Sequence, residues 1–289
     1  MYVPPEWKTL AGLIAAAGGS TVYVVGATDR GKSTLCRYLI ESLAPRLPAA
    51  LIDTDPGQSS VGPPATIGLA TFAGTSTHPS AVHLRFAGST SPRGHVPVFL
   101  SATRRLYDRA RELGAGTIII DSPGYAIGTA AEAFHVAMID MLQPCHLVAL
   151  QRGREIEPVL RTFRHHPTME LHRFPVPEGI RIRSQIERAR NREKLFSDYF
   201  ANAHSSELSL DDIGIFGNIP ETFSTGAWEG RLVALCDWRL EVLALSIVEK
   251  LDPLHRCLRV TSPPFHAGGL AALHAGALMM ARDGTHRPL

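Results

Sequence analysis

The segment Gly26-Ala27-Thr28-Asp29-Arg30-Gly31-Lys32-Ser33-Thr34 follows a β-branched run and fills every position of the pattern G-x-x-x-x-G-K-[ST]. Glycines let successive backbone N–H groups turn inward onto phosphate oxygens, and a helix that follows adds the positive end of its dipole. Lys32 is then expected to reach the β- and γ-phosphates of ATP, Ser33 to put its hydroxyl on Mg2+, and Thr34 to continue the helix. A second acidic position closes the run Thr117-Ile118-Ile119-Ile120-Asp121, where a carboxylate at the end of a strand can hold Mg2+ directly or through water. Three more segments carry groups able to act on a bound phosphate. Asp53-Thr54-Asp55-Pro56-Gly57-Gln58 offers two carboxylates, one of which can take a proton from an attacking hydroxyl. Ser122-Pro123-Gly124-Tyr125 sets an aromatic just past Asp121. Residues 181–194 hold six basic side chains (Arg181, Arg183, Arg188, Arg190, Arg192, Lys194) against two acidic ones, which reads as a lid on a helix late in the α/β region.

Such groups need a scaffold that delivers strand ends and loops to one edge. Apolar runs at 21–25, 49–52, 67–72, 82–86, 117–120 and 145–150 alternate with helix-length segments, notably 32–43, 96–113 and 127–142. Alternation of this kind predicts an α/β fold, a P-loop domain with a mainly parallel sheet flanked by helices. After Phe200 short apolar runs at 231–236, 242–248 and 257–260 are broken by Gly, Pro and Asp, which predicts a small β-rich C-terminal domain. The expected division is residues 1–204, with the arginine-rich lid at about 181–200, and residues 205–289. The apolar stretch 267–281 fits strand or helix.

Bulk composition narrows the partners. With 29 basic and 27 acidic residues, any nucleic acid must be held by a local patch and not by the overall field. The basic residues include only four lysines, so an arginine-rich segment says less here than it would elsewhere. The four cysteines show no C-x-x-C spacing and the thirteen histidines no H-E-x-x-H pattern, which argues against a disulfide framework and a structural metal. Neither a signal peptide pattern nor an 18-residue apolar span is present, so a cytoplasmic location away from membranes is expected.

Taken together, the loop G-A-T-D-R-G-K-S-T from Gly26, the D-x-G-Q element Asp55–Gln58, the S-P-x-G-H segment Ser91–His95 and the loop Ser122–Tyr125 resemble the polynucleotide 5′-hydroxyl kinase family. The R-S-x3-R-x3-R lid Arg183–Arg192, the pair Tyr199-Phe200 and the turn G-R-L-V-A-L-C-D from Gly230 extend the resemblance over nearly the whole chain. Members of that family include the RNA kinase subunit of the eukaryotic pre-mRNA cleavage complex and kinases that process ribosomal RNA. The resemblance implies transfer of the γ-phosphate of ATP to the 5′-hydroxyl of a single-stranded or duplex polynucleotide, RNA ahead of DNA. It implies that Asp55 is the general base, that Gln58 lies beside the reacting phosphate, and that Ser122, Pro123, Gly124 and Tyr125 clasp the terminal nucleotide. Arg183 and Arg188 then close on the transferring phosphoryl group, and Arg192 counts among the substrate-binding residues. Two departures stand out: Tyr125 replaces the family's usual tryptophan, and the phosphate loop comes so early that the extra N-terminal domain of the cleavage-complex member is not expected.

Three other readings compete. Asp121-Ser122-Pro123-Gly124 also fits the D-x-x-G of a GTPase-like switch, although none of the four lysines sits in the N-K-x-D that reads guanine. A catalytically silent ATP-binding scaffold of an RNA-processing complex and a small-molecule kinase are the second and third.

Overall fold

The computed structural model describes residues 3–76, 78–222 and 224–289. The chain divides into two compact units, one made of the chain through Gly62 with Ile67–His83 and Ser91–Arg183, the other of Pro63–Thr66, Leu84–Thr90 and Ser184–Leu289.

In chain order the first part runs α1 (Pro5–Ala16), β1 (Thr21–Val25), α2 (Lys32–Leu43), β2 (Ala49–Asp53), β3 (Thr66–Phe72), β4 (Ala81–Phe86), α3 (Val96–Glu112), β5 (Thr117–Asp121), α4 (Thr129–Leu142), β6 (His146–Gln151), α5 (Glu157–Thr162) and β7 (Glu170–Pro175). Seven strands form one sheet in the order β4-β3-β2-β5-β1-β6-β7. Strands β2, β5, β1, β6 and β7 are parallel, and β3 runs antiparallel to β2. The central strands β1, β5 and β6 are buried along their whole length, which is why they read as unbroken apolar runs and not as alternations. Val22 and Val24 pack into a core with Trp7, Leu10 and Ile14 of α1 and Leu35 and Leu39 of α2. Their neighbours point the other way, Thr21 to the hydroxyl of Tyr107 on α3 and Tyr23 to His135 on α4. Helices therefore cover both faces, as the βα rhythm predicts. The sequence reading had no helix ahead of residue 21; α1 is carried by the stripe Trp7, Leu10, Ala11 and Ile14, which are its buried residues.

The second part runs α6 (Gln185–Phe200), β8 (His204–Ser209), β9 (Gly214–Gly217), α7 (Thr225–Trp228), β10 (Arg231–Cys236), β11 (Val242–Asp252), β12 (Cys257–Ser262), a 3-10 turn at Ala267–Gly269, β13 (Ala272–Met280) and β14 (His286–Pro288). Its sheet has the order β14-β13-β10-β11-β12-β8, with β9 added parallel to β13 and the other pairs antiparallel. The stretch that fits strand or helix is thus strand from Ala272, and the apolar run 231–236 that follows the turn at Gly230 is strand β10.

The lid differs from its expectation. Arg181 and Arg183 precede the helix, because Ser184 and Glu187 form a reciprocal capping box that starts α6 at Gln185. Phe196 and Phe200 of α6 are buried with Leu232, Leu245 and Leu278. The helix therefore belongs to the second unit, and the contact boundary falls at Arg183/Ser184, ahead of the expected residue 204. Among the described residues no helix is long and apolar enough to cross a membrane.

Candidate active site

In a parallel sheet the loops that follow the strands all leave from the carboxyl edge, so those after β1, β2, β5, β6 and β7 emerge together. The first of them, from Gly26 to Gly31, turns on two glycines. A Cβ at Gly26 would stand 2.5 Å from the Leu150 carbonyl oxygen, and Gly31 has φ +90° as the residue before α2. Asp29 also takes positive φ, 55°. Lys32 is buried at the first turn of α2 and donates to the Ala27 carbonyl at 3.2 Å, folded across its own loop. Arg30 pairs with Glu155 at 3.1 Å. Burial pushes the Glu155 carboxyl up, but the amides of Gly153 and Arg152 and the Arg30 guanidinium outweigh it and bring it down to about 2.

Beside this loop stands a wall of three carboxylates. Register sets Asp53 of β2 directly against Asp121 of β5, and Asp121 against Val24 of β1. Asp53 is spent on its own loop: Oδ1 accepts from the Asp55 amide, and Oδ2 from the amides of Ser60 and Val61 and the Ser60 hydroxyl. Asp121 is 2% exposed and its Oδ1 has no hydrogen-bond partner. Burial pushes both carboxyls well above the usual range; the Asp53 charge raises Asp121 further, while Lys32 and the Ser33 hydroxyl pull it back. An orphaned, buried oxygen between like charges and beside the Ser33 hydroxyl fits a hard divalent cation, which would satisfy the acceptor and offset the repulsion.

Asp55 joins two loops. Its Oδ1 accepts from the amides of Gly57 and Gln58 at 3.0 Å, and its Oδ2 from the Gly124 amide at 3.2 Å. Gly124 in turn presents its carbonyl to the Thr28 hydroxyl at 3.3 Å. Ser122 and Pro123 are buried, and Ser122 is held by its amide on the Val24 carbonyl. Tyr125 is half-buried, its ring flanked by Phe134 with centroids 6.3 Å apart and by the Arg93 guanidinium 5.9 Å from its centroid. Its carbonyl is fixed by His135 Nε2 at 2.8 Å, and burial lowers that imidazole to about 4.

Arg183 ends the loop after β7 and is held by the phosphate loop itself. Its amide donates to Asp29 Oδ2 at 2.9 Å, its Nε to Asp29 Oδ1 at 3.1 Å, and its Nη1 to Gln58 Oε1 at 3.0 Å. The structure thus brings together the phosphate loop, Asp55, Gln58, Asp121, the loop 122–125 and Arg183. Arg188 and Arg192 sit one turn apart on α6 in the second unit, where Arg192 Nε is 3.5 Å from His286 Nε2. Sequence reasoning missed Arg93, Glu155 and Ile180, whose Cδ1 lies 3.2 Å from where a Gly31 Cβ would be. Arg93 lies inside the S-P-x-G-H segment, a signal that was present; Ile180 and Glu155 are ordinary residues in loops and carry none.

The sequence profile of a family described as mRNA cleavage and polyadenylation factor CLP1 P-loop matches residues 26–202. A protein named polyribonucleotide 5′-hydroxyl-kinase from Pyrococcus furiosus is 31% identical over 203 residues, which are 68% of this chain and 55% of the relative. Its namesake from Methanocaldococcus jannaschii is 30% identical over 202 residues, 68% and 54% respectively. The chain spans about half the length of these curated relatives. A solved structure of wild-type Clp1p in complex with Pcf11p shares the fold with a TM-score of 0.74 at 15% identity, covering 95% of this chain and 79% of that one.

Proposed function

Because the chain belongs to the CLP1 P-loop family, we propose that it transfers the γ-phosphoryl group of ATP to the 5′-hydroxyl end of a polynucleotide, RNA ahead of DNA. The names of its relatives supply the acceptor class. The observation that carries the chemistry is the hydrogen bonding of Asp55. Its Oδ1 is saturated by two turn amides, whereas Oδ2 accepts one amide and keeps a lone pair on a carboxylate that both loops hold still.

In this reading the acceptor oxygen forms a bond to the γ-phosphorus as the bond from that phosphorus to the bridging oxygen breaks. ADP leaves, and the hydroxyl proton passes to Asp55. Lys32 and the amides of residues 26–31 hold the phosphates of ATP. Ser33 and Asp121 are the residues that would hold Mg2+, which when bound supplies charge neutralisation on the phosphate oxygens. Arg183, kept ready by Asp29 and Gln58, is suited to the equatorial oxygens of the transferring group. Tyr125, with Arg93 on its ring, offers a stacking surface for the terminal base.

The test is direct. The protein is incubated with γ-labelled ATP, Mg2+ and matched 5′-hydroxyl or 5′-phosphoryl oligonucleotides of RNA and DNA. Label is expected on 5′-hydroxyl ends only, and more on RNA. Hydrolysis of GTP with no labelled end would favour a nucleotide switch, and ATP binding without turnover a silent scaffold.

A further inference from the structure

At the opposite, amino-terminal ends of β6 and β7, His146 and His172 face the same side of the sheet as Glu170. The parallel register pairs His146 with Glu170 and Val148 with His172, so the two histidines and the glutamate converge from adjacent strands. His146 Nδ1 is 3.1 Å from His172 Nε2, and Glu170 Oε2 is 3.5 Å and 3.6 Å from those two nitrogens. The in-plane point equidistant from these three atoms lies about 2.0 Å from each, so a tetrahedral ion standing slightly above that plane would keep about the length of a Zn–N or Zn–O bond. A hydrogen bond between the imidazoles would account for the first separation only. Ion pairing of Glu170 with the imidazoles accounts for the other two, and the three atoms together form a nearly equilateral triangle that a single ion can fill. Two imidazoles and a carboxylate are a borderline donor set that suits Zn2+ and not the magnesium expected at the phosphate edge. The rings are largely buried, and His172 also meets Phe174 with centroids 5.9 Å apart, whereas the Glu170 side chain is 64% exposed. The fourth tetrahedral position is therefore on the solvent side.

We propose that His146, Glu170 and His172 bind one Zn2+ ion, with water as fourth ligand, and that the ion clamps the edge strand β7 onto β6. An edge strand has a free row of backbone groups and only one neighbour to hold it, so a bridge across the pair fixes its register.

The whole chain, stripped with a chelator, is titrated with ZnCl2 in a calorimeter and with CoCl2 by visible absorption. One ion per chain, an intense tetrahedral cobalt band displaced by zinc, and a rise in Tm with zinc are expected. Glu170→Gln removes a ligand from an exposed position where folding is not at risk, and His172→Gln removes a nitrogen; each should weaken zinc binding by at least ~10-fold. His255→Gln, which removes an exposed imidazole elsewhere, should bind zinc as the wild type does. Absence of stoichiometric binding, or the same affinity in the wild type and Glu170→Gln, overturns the site. Labelled transfer to 5′-hydroxyl ends tests the carboxyl edge separately and does not bear on this outcome.

Discussion

Asp55 and Arg183 are the side chains on which the proposed chemistry turns, and each makes a distinct kinetic prediction. Asp55→Asn keeps the shape of the turn but removes the base, so kcat should fall by roughly 10²- to 10⁴-fold with little change in the KM for ATP. Unchanged turnover would mean that water or another group takes the proton. For Arg183, charge in a loose transition state spreads over the equatorial oxygens, and a planar guanidinium gains more there than on ground-state ATP. Arg183→Ala should therefore depress kcat by up to roughly 10³-fold while the KM for ATP moves little. Arg188→Ala is expected to behave alike and Arg190→Ala to be mild, since Arg190 lies exposed on α6. Steady-state kinetics on 5′-hydroxyl RNA checks all three. Near wild-type turnover in Arg183→Ala and Arg188→Ala would remove the lid from the mechanism.

At the level of elements, the loop after β5 comes up against the phosphate loop at Gly124. A Cβ there would stand 2.3 Å from Thr28 Oγ1 and 3.0 Å from Thr28 Cα, so any side chain forces the loop after β5 away from the phosphate loop. Gly124→Ala should cost about 1–3 kcal/mol in stability. It should also raise the KM for both ATP and acceptor, because the Gly124 amide on Asp55 and its carbonyl on Thr28 are displaced together. A variant with wild-type KM values and Tm would show that the two loops move independently. The legibility of elements follows the same physics. Strands β1, β5 and β6 and helix α2 were readable because uniform burial or a glycine loop marks them in the local sequence. Strand β7, with a mixed burial pattern at the sheet edge, has no such signature. The arginine-rich run 181–194 suggests a helix over its whole length, but the S-x-x-E cap at Ser184 starts α6 at Gln185 and leaves Arg181 and Arg183 ahead of it.

Over the whole molecule, the buried carboxylates predict how stability responds to pH. Burial holds the folded pKa of Asp121 and Asp53 above the unfolded value of about 3.9, so the folded state keeps protons that the unfolded state has released. Their contribution is full below that unfolded value and is lost as pH rises through the elevated folded values. The metal-free protein should thus lose stability from this source between mildly acidic and neutral pH, and Mg2+ should restore it by favouring the ionised pair. His135 acts with the opposite sign, since its folded pKa of about 4 lies below its ordinary 6.5 and its contribution is lost as pH falls. The measurement is accordingly a difference: Tm from pH 5 to 8, with and without Mg2+, for the wild type and Asp121→Asn. Asp121→Asn should flatten the falling limb and abolish much of the Mg2+ effect; an unchanged profile would show that Asp121 stays ionised without the metal.

The amino-acid sequence alone determined the phosphate loop, the acidic strand end at Asp121, the α/β alternation and the family, since each rests on residues close together in the chain whose spacing is dictated by local backbone geometry. What it could not determine are relations between distant segments. That Asp53 and Asp121 share a register, that Gly124 closes on both Thr28 and Asp55, that Arg183 is tethered by Asp29 and Gln58, and that Arg93 reaches Tyr125 all depend on which strands are neighbours. The same holds for His146, Glu170 and His172, which show no ligand spacing along the chain and meet only because β6 and β7 pair in parallel. Strand order is set by the packing of the whole sheet against its helices, and no local pattern encodes it.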